Sequence, residues 1–277
     1  MHLSKRLERV ASFVREGGVV ADIGTDHGYI PIYLVKEKRA VSAIAMDVRT
    51  GPLSRAKEHI AEYGLTDRIS VRLSDGLEKL RPNEADTVVI AGMGGELMIR
   101  ILKQGRHMWE SVKQWVLSPQ SELAQVRRFL AQEGFLTEKE DMLEEDGKFY
   151  VILSVGREAG EERENETGVA GEGPCGQQDT CRKQDTCEKQ GICEKQDAGI
   201  YIKKTEEYSI EELYGAYLLR ERHPVLYDFL VKEQAVKQQI LQGLSGQTGE
   251  GAVRRRQTLE RELLKNEEAL RIFEKSV

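Results

Sequence analysis

The sequence predicts an α/β fold built on a mainly parallel sheet, followed by a small helical region. Over the first 156 residues, short and nearly continuous apolar segments of strand length alternate with amphipathic segments of helix length. That alternation is typical of parallel strands buried on both faces by helices. Glycine-containing turns follow several of the strands, and after residue 206 the apolar residues recur at helical spacing instead.

The elements of the first region follow one another in a regular order. Five strands are predicted, over Val19–Ile23, Val41–Asp47, Ile69–Leu73, Thr87–Ala91 and Trp115–Ser118. The predicted helices between and after them cover Ile30–Lys36, Leu53–Tyr63, Glu96–Lys103 and Glu122–Glu133. Two more β-rich segments, Phe135–Leu143 and Phe149–Val155, flank a turn at Asp146-Gly147. They predict a hairpin that places an antiparallel strand at or near one edge of the sheet.

The C-terminal region predicts a helical hairpin. Residues 206–242 and 252–275 each carry an apolar stripe at helical spacing, and a loop rich in Gly, Ser and Gln joins them. Two such stripes pair most simply as a short antiparallel coiled coil. We therefore expect two domains, an α/β domain over 1–156 and a small helical coiled-coil domain over 201–277.

The segment between these domains, residues 157–200, has a different composition. All four cysteines lie in it at a spacing of six residues, inside a hexapeptide repeat: Cys175, Cys181, Cys187 and Cys193. Eleven acidic residues against six Lys/Arg, with almost no apolar residues, predict a disordered acidic insert. The close cysteine pairs and nearby histidines of a zinc site are absent, so no metal is expected; a metal or redox module is the alternative.

The charge distribution and the hydropathy of the sequence indicate which classes of partner the protein can bind. The net charge of −6 comes mostly from the acidic insert, so it says little about ligands, whereas the N-terminal stretch with Arg6 and Arg9 is locally basic. Those arginines are candidates for contacts with a phosphate backbone, and the solvated face of an amphipathic helix is the alternative. Apolar runs are too short to span a membrane, and the first residues lack a signal-peptide core. We expect a cytoplasmic protein, with a monomer favoured.

Ligands of parallel α/β sheets bind beyond the carboxyl ends of the strands. Four features are predicted at that edge: the turn Gly24–Gly28, Asp47 at the end of the second strand, Ser74-Asp75-Gly76, and Gly92-Met93-Gly94-Gly95. Asp47 lies 23 residues after Gly24, where an acidic side chain accepts hydrogen bonds from a ribose diol. Asp75 and Gly76 are suited to the edge of an adenine, so the set predicts a nucleoside ligand.

The carboxylates in and next to the first turn indicate which kind of nucleoside ligand the site binds. Asp22 and Asp26 would repel the phosphates of a dinucleotide, which favour bare amides and a helix N-terminus. S-adenosylmethionine carries no phosphate, and its sulfonium and ammonium groups are cations that carboxylates attract. The sequence therefore predicts S-adenosylmethionine rather than a dinucleotide as the cofactor.

The same residues resemble those of a known family. Asp22 to Pro31, DIGTDHGYIP, with Ala91 to Gly95, AGMGG, and Ser118-Pro119-Gln120 are similar to motifs of the bacterial tRNA (adenine(22)-N1)-methyltransferase family (TrmK). The resemblance covers residues 1–156 and resumes near Tyr208; the cysteine array is not part of it. It implies a Rossmann-like class I methyltransferase domain, a C-terminal coiled-coil domain and methyl transfer to N1 of an adenine in the D-arm region of tRNA.

The resemblance and the residue chemistry together assign candidate roles. Asp26 is expected to stabilise the methylated ring and Tyr29 to stack on the adenine; the alternatives are a loop contact and helix packing. Cofactor contacts are predicted for Asp22, Gly24, His27, Gly28, Asp47, Asp75, Gly76, Ala91, Gly92 and Met93. Substrate contacts are predicted for Arg6, Arg9, Gly94, Gly95, Pro119, Gln120, Arg254 and Arg255, with Lys203 and Lys204 as helpers.

Two other functions stay open from the sequence. One is a methyltransferase that acts on another RNA base, a small molecule or a protein, with the hairpin as a lid or dimerisation element. The other is a non-catalytic partner protein that binds S-adenosylmethionine and uses its coiled coil for assembly. Methyl transfer to unmodified tRNA separates both of these from the leading hypothesis.

Overall fold

The computed structural model describes residues 2–157 and 207–274. The strands are β1 (Gly18–Ile23), β2 (Ala40–Asp47), β3 (Ile69–Leu73), β4 (Thr87–Met93), β5 (Gln114–Pro119), β6 (Phe135–Glu145) and β7 (Lys148–Arg157). The helices of the same region are α1 (Lys5–Phe13), α2 (Tyr29–Lys36), α3 (Thr50–Glu62), α4 (Gly95–Gln104) and α5 (Leu123–Gln132). The C-terminal helices are α6 (Ile210–Tyr214), α7 (Ala216–Arg220), α8 (Pro224–Gly243) and α9 (Glu250–Glu274).

The seven strands form one sheet in the order β3-β2-β1-β4-β5-β7-β6. Strands β1 to β5 pair in parallel, and β7 pairs antiparallel with both β5 and β6. The predicted Rossmann-like fold is confirmed, and so is the hairpin near one edge. Because strand order reverses between β1 and β4, the switch point of the sheet lies beside the turn that follows β1.

Helices cover both faces of the sheet. On one face, Val10, Val14, Ile30, Leu34 and Ile60 pack from α1, α2 and α3 onto the sheet. Helix α1 begins at a Ser4 cap, whose hydroxyl accepts a hydrogen bond from the Leu7 amide at 3.3 Å. The cluster on the other face, around buried Met98, Leu102, Trp115 and Phe129, also contains apolar residues of α6 to α9.

The C-terminal region differs from the prediction. One helix was expected over 206–242, but the structure has three, because the chain breaks at Gly215 and again at Glu221-Arg222, just before Pro224. Gly215 has a φ of +91°, and a Cβ there would overlap the carboxylate of Glu140. Pro224 occupies the first position of α8, where its missing N–H costs no hydrogen bond. A period of 3.6 residues continues through such breaks, so periodicity alone did not reveal them.

Polar contacts attach the C-terminal helices to the edge of the sheet. The guanidinium of Arg127 forms an ion pair with Glu140 at 2.6 Å and donates to the Glu212 and Leu213 carbonyls. The buried carboxylate of Asp141 pairs with Arg9 and, at 2.7 Å, with His223. Residues 2–157 and 208–274 belong to one unit. The predicted limit at 156 falls at the end of the first described range. The predicted limit at 201, the cysteine array, Lys203 and Lys204 lie outside the described residues.

Candidate functional site

The candidate site lies at the carboxyl edge of the parallel strands. Ile23 at the end of β1 is in register with Met46 of β2, and Asp47 of β2 with Leu73 of β3. On the other side, Met93 of β4 is in register with Pro119 of β5. The four loops that the sequence singled out therefore leave the sheet along one edge, as predicted.

The turn after β1 is fixed by backbone bonds and by glycine. The amides of Gly24 and Thr25 both donate to the Met46 carbonyl at 2.8 Å, which ties the turn to the end of β2. Gly24 has a φ of +76°, and a Cβ at that position would overlap the methyl group of Met93. The positive φ strains any residue other than glycine here, and a Cβ would also force the flexible end of the Met93 side chain to move.

Three carboxylates surround this turn. Asp22 is 5% exposed, and burial, with the nearby charges of Asp47 and Asp26, raises its pKa from 3.8 to about 6, although Thr25 acts in the opposite direction. The Asp26 side chain is 76% exposed and lies 3.4 Å from His27 and 3.9 Å from Arg55. No Lys or Arg within residues 2–157 and 207–274 forms an ion pair with Asp22. Asp22 therefore lacks a cationic partner among the described residues, while Asp26 and Asp47 have only distant ones, at 3.9 Å from Arg55 and 3.5 Å from Arg49. This arrangement favours a cationic ligand.

Asp47 has the geometry expected of a diol acceptor. One carboxylate oxygen accepts from the Arg49 amide at 2.7 Å, and the other makes no hydrogen bond to any residue the structure describes. Val48, which follows it, is 58% exposed, and Leu73 in the neighbouring strand is 44% exposed. The sequence analysis missed these two exposed apolar side chains, which lie next to Asp47 at the carboxyl edge of the sheet.

The third loop has one buried and one exposed polar residue. The Ser74 hydroxyl donates to the Gly76 carbonyl at 3.1 Å and accepts from the Lys79 amide at 3.2 Å, so it holds the loop. Asp75 between them is exposed to solvent. Its carboxylate is thus available to a ligand at the same edge as Asp47.

Three aromatic rings support the turn from the side of α3. His27, Tyr29 and His59 have ring centroids 5.2 to 5.7 Å apart with nearly parallel planes. His59 Nδ1 also lies 3.0 Å from the His27 carbonyl oxygen, and His27 has a φ of +57°. His59 was not predicted, because it lies 32 residues from His27 and only the fold brings the two together.

The turn after β4 is bounded by residues from three other elements. The Gln120 amide donates to the Met93 carbonyl at 2.8 Å, and a Cβ on Gly95 would lie 2.6 Å from the Ser121 carbonyl oxygen. Arg6 of α1 reaches the open side of Gly92, with its guanidinium 5.2 Å from the ring centre of Tyr150. The structure thus brings Gly92 to Gly95, Pro119, Gln120 and Arg6 together. Tyr150 was not predicted.

The other predicted substrate residues lie away from this edge or are already paired. Arg9 contacts Asp141, as described above, although half of its side chain is exposed. Arg254 and Arg255 lie near the start of α9 and pair loosely with Glu250 and Glu262, at 3.4 and 3.8 Å. Among the described residues there is no group of His, Cys, Asp and Glu that could hold a metal, and no helix that could cross a membrane.

Comparisons with known proteins agree with this geometry. Residues 3–153 match a family model described as a methyltransferase domain. The tRNA (adenine(22)-N(1))-methyltransferase of Bacillus subtilis is 42% identical over 153 residues, which cover 55% of this chain and 64% of that relative, a little under two thirds of its length.

Solved structures extend the similarity over nearly the whole chain. The crystal structure of the B. subtilis m1A22 tRNA methyltransferase TrmK is 29% identical with a TM-score of 0.72, covering 97% of this chain and 99% of that one. A Streptococcus pneumoniae protein crystallised with S-adenosyl-L-methionine is 30% identical with a TM-score of 0.70, covering 97% and 100%. Because 97% of this chain is covered in each case, both matches extend over the residues of α6 to α9.

Proposed function

Because the chain belongs to the methyltransferase family that includes the tRNA (adenine(22)-N1)-methyltransferase of B. subtilis, we propose that it transfers a methyl group from S-adenosylmethionine to N1 of adenine 22 in tRNA. The observation that carries the proposal is the acidic turn after β1, with Asp22 buried beside it and, at the end of β2, one Asp47 carboxylate oxygen that has no hydrogen bond among the described residues. Phosphate-bearing nucleotides are disfavoured there, whereas a phosphate-free cationic nucleoside is favoured.

The residues at this edge fit the cofactor. Asp47 has a carboxylate oxygen free for the ribose diol, and Val48 offers an exposed apolar surface next to it. Asp22 and Asp26 supply negative charge for the ammonium and sulfonium, which is the opposite of what a pyrophosphate needs. The remaining cofactor contacts are assigned to the loops described above: Gly24, His27, Gly28, Asp75, Gly76, Ala91, Gly92 and Met93.

The proposed chemistry needs little more than orientation. Bound S-adenosylmethionine supplies an electrophilic methyl group on a sulfonium. Adenine N1 has an in-plane lone pair, so it attacks without first losing a proton, and the turn after β4 indeed lacks a side-chain acceptor in AGMGG. The tasks left to the chain are to hold the ring in line and to exclude water.

Two residues of the first turn are proposed to act on the adenine. Tyr29 belongs to the ring cluster with His27 and His59, and we assign its ring to packing against the target base. Asp26 is open to solvent next to it, so its carboxylate stabilises the positive charge that the ring acquires on methylation. Since N1 is on the Watson–Crick edge, the target adenine has to be unpaired or flipped out of its stack.

We assign contacts with the tRNA outside the target base to basic side chains on α1 and α9. Arg6 lies at the open side of Gly92, and Arg9, one turn further along α1, has a half-exposed side chain that pairs with Asp141. We assign the space for the base to Gly94, Gly95, Pro119 and Gln120. Arg254 and Arg255 on α9 have largely exposed side chains with only distant acidic partners. Such arginines exchange weak intramolecular pairs for phosphate contacts at small cost.

Mass-spectrometric mapping of tRNA tests the proposal. Unmodified tRNA is incubated with the protein and methyl-labelled S-adenosylmethionine, then digested and sequenced by mass. The expected product is 1-methyladenosine at position 22, and a transcript with guanosine at that position serves as the control. Labelling at another base, or no transfer to any tRNA by a protein that binds the donor, would overturn the assignment.

A further inference from the structure

Gln120 lies at the point where the two central loops of the site meet. It follows β5 directly, and its backbone amide donates to the Met93 carbonyl of the β4 turn at 2.8 Å. This bond fixes the residue between the ends of β4 and β5. Its side chain is exposed, and the side-chain amide makes no hydrogen bond to any residue in the described ranges. Gln120 is thus an anchored backbone position with an unused donor and an unused acceptor.

The free amide faces the open side of Gly92. Gln120 Nε2 lies 3.9 Å, and Arg6 Nη1 3.4 Å, from the point that a Cβ of Gly92 would occupy. Arg6 Nη1 is buried and has no hydrogen-bond partner within the described part of the chain. The guanidinium is held against the ring of Tyr150 instead. A buried unsatisfied donor from Arg6 and an exposed donor from Gln120 therefore converge on the space above a glycine turn, where a bound group with acceptors would satisfy the first and pair with the second.

The reaction leaves one edge of the adenine for recognition. N1 is on the Watson–Crick edge and has to face the methyl group, so side-chain contacts to that atom are excluded during transfer. The N6 amine and N7 form the adjacent Hoogsteen edge, with one donor and one acceptor. A glutamine amide pairs with both at once, which is the side-chain geometry that distinguishes adenine from guanine, since guanine offers two acceptors there.

We propose that Gln120 is the residue that selects adenine, with Oε1 accepting from the N6 amine and Nε2 donating to N7. The inference rests on the proposed function, because it assumes that an adenine enters this space with N1 toward the donor. It adds a specificity determinant that acts on the base and not on the phosphate backbone. Methyl transfer itself would continue without it, at a lower rate.

An atomic substitution in the tRNA tests this assignment. In 7-deazaadenosine a C–H replaces N7, while N1 and the amine are kept. The wild-type protein should lose between about threefold and tenfold in kcat/KM when the target adenosine is replaced by this analogue, the effect of one neutral hydrogen bond. Gln120→Leu should lose between about fivefold and a hundredfold on normal tRNA, the value of a bidentate base contact. Gln120→Leu should then show no further loss with the analogue.

The matched control is Gln104→Leu, an exposed glutamine at the far end of α4 from Gly95. It should keep the wild-type sensitivity to the analogue. Calorimetric affinity for S-adenosylmethionine confirms that Gln120→Leu is folded. Equal rates for the two tRNAs with the wild type, or an equal analogue penalty in wild type and Gln120→Leu, would overturn the inference while leaving the methyltransferase activity intact. Absence of N1 methylation of normal tRNA would instead overturn the proposed function, and the inference with it.

Discussion

Acidification below about pH 6 is expected to weaken the binding of S-adenosylmethionine through protonation of Asp22. Burial, with smaller effects of Asp47 and Asp26, raises the pKa of this carboxyl from 3.8 to about 6 in the ligand-free protein. A cationic ligand favours the ionised carboxylate, so the ligand and the proton compete for it. Affinity is therefore complete above this pKa and falls by up to about tenfold per pH unit below it.

Isothermal titration calorimetry between about pH 5 and pH 8 measures this dependence, since the range brackets the pKa. Repeating the titration in buffers of different ionisation enthalpy counts the protons released. Asp22→Asn should bind more weakly at pH 8 and lose the pH dependence below pH 6. The reasoning fails if wild type and Asp22→Asn have the same slope, or if no proton is released near pH 5.

The same pKa shift makes a prediction about stability, with the opposite sign from that of a salt-bridged Asp. The unfolded chain ionises Asp22 near 3.8, before the folded protein does near 6, so stability falls as the pH rises through this interval. Above it, the ionised carboxylate costs up to about 3 kcal/mol of unfolding free energy. Urea unfolding of the ligand-free protein should show Asp22→Asn to be more stable than wild type at pH 8. A less stable variant would contradict the shift.

Three sets of variants test other parts of the site. Asp26→Asn should lower kcat by about tenfold with less effect on cofactor affinity, because its side chain is exposed and partly screened; single-turnover assays and calorimetry separate the two. Gly24→Ala and Gly17→Ala should both lower stability, because both glycines have a φ above +70°. Only Gly24→Ala should also lower cofactor affinity, because a Cβ at Gly24 would displace Met93 at the site, whereas no atom lies near the position of a Cβ at Gly17. Arg254→Glu with Arg255→Glu should weaken tRNA binding and flatten its salt dependence by about 0.9 per lost phosphate contact.

Each of these predictions has an outcome that would contradict it. If Asp26→Asn weakens cofactor binding but leaves the single-turnover rate at saturating cofactor unchanged, Asp26 acts on the cofactor and not on the adenine. Equal affinities for Gly24→Ala and Gly17→Ala would remove the β1 turn from the cofactor site. The control for the double charge reversal is Lys38→Glu, an exposed residue between α2 and β2 at the opposite edge of the sheet. The same salt dependence in that variant and the double variant would exclude α9 from the tRNA interface.

Much of the sheet and of its ligand edge could be predicted because their signals are local. Buried parallel strands have apolar runs that end in visible turns, so Gly24, Asp47 and Gly92 could be placed at one edge without knowing the strand order. The chemistry of Asp22 and Asp26 then distinguished between ligands by the sign of their charge. These predictions need only the chain direction of each strand, which the alternation of elements supplies.

The parts that were missed depend on contacts between distant segments. His59 supports the first turn from α3, and Tyr150 holds Arg6 from a strand more than a hundred residues away, so neither has a signature near the residue it serves. The break at Gly215 depends on Glu140 occupying the space where a side chain would be. Such residues are fixed by packing in three dimensions, which a single sequence does not encode as a pattern.

The attachment of α6 to α9 through Arg127, Glu140 and Asp141 has a consequence for how the chain matures on the ribosome. The hairpin β6–β7 is complete once residue 157 has emerged, but the helices that bury Met142 and Val151 are made only after residue 207. Until then the apolar face of the hairpin is exposed to solvent, and so is Glu140, which is buried in the folded protein. Arg127, which pairs with Glu140, then lacks the two carbonyl groups of α6 that accept its hydrogen bonds. The last step of folding is therefore the docking of the C-terminus, and the interval before it is when this protein is most exposed to aggregation.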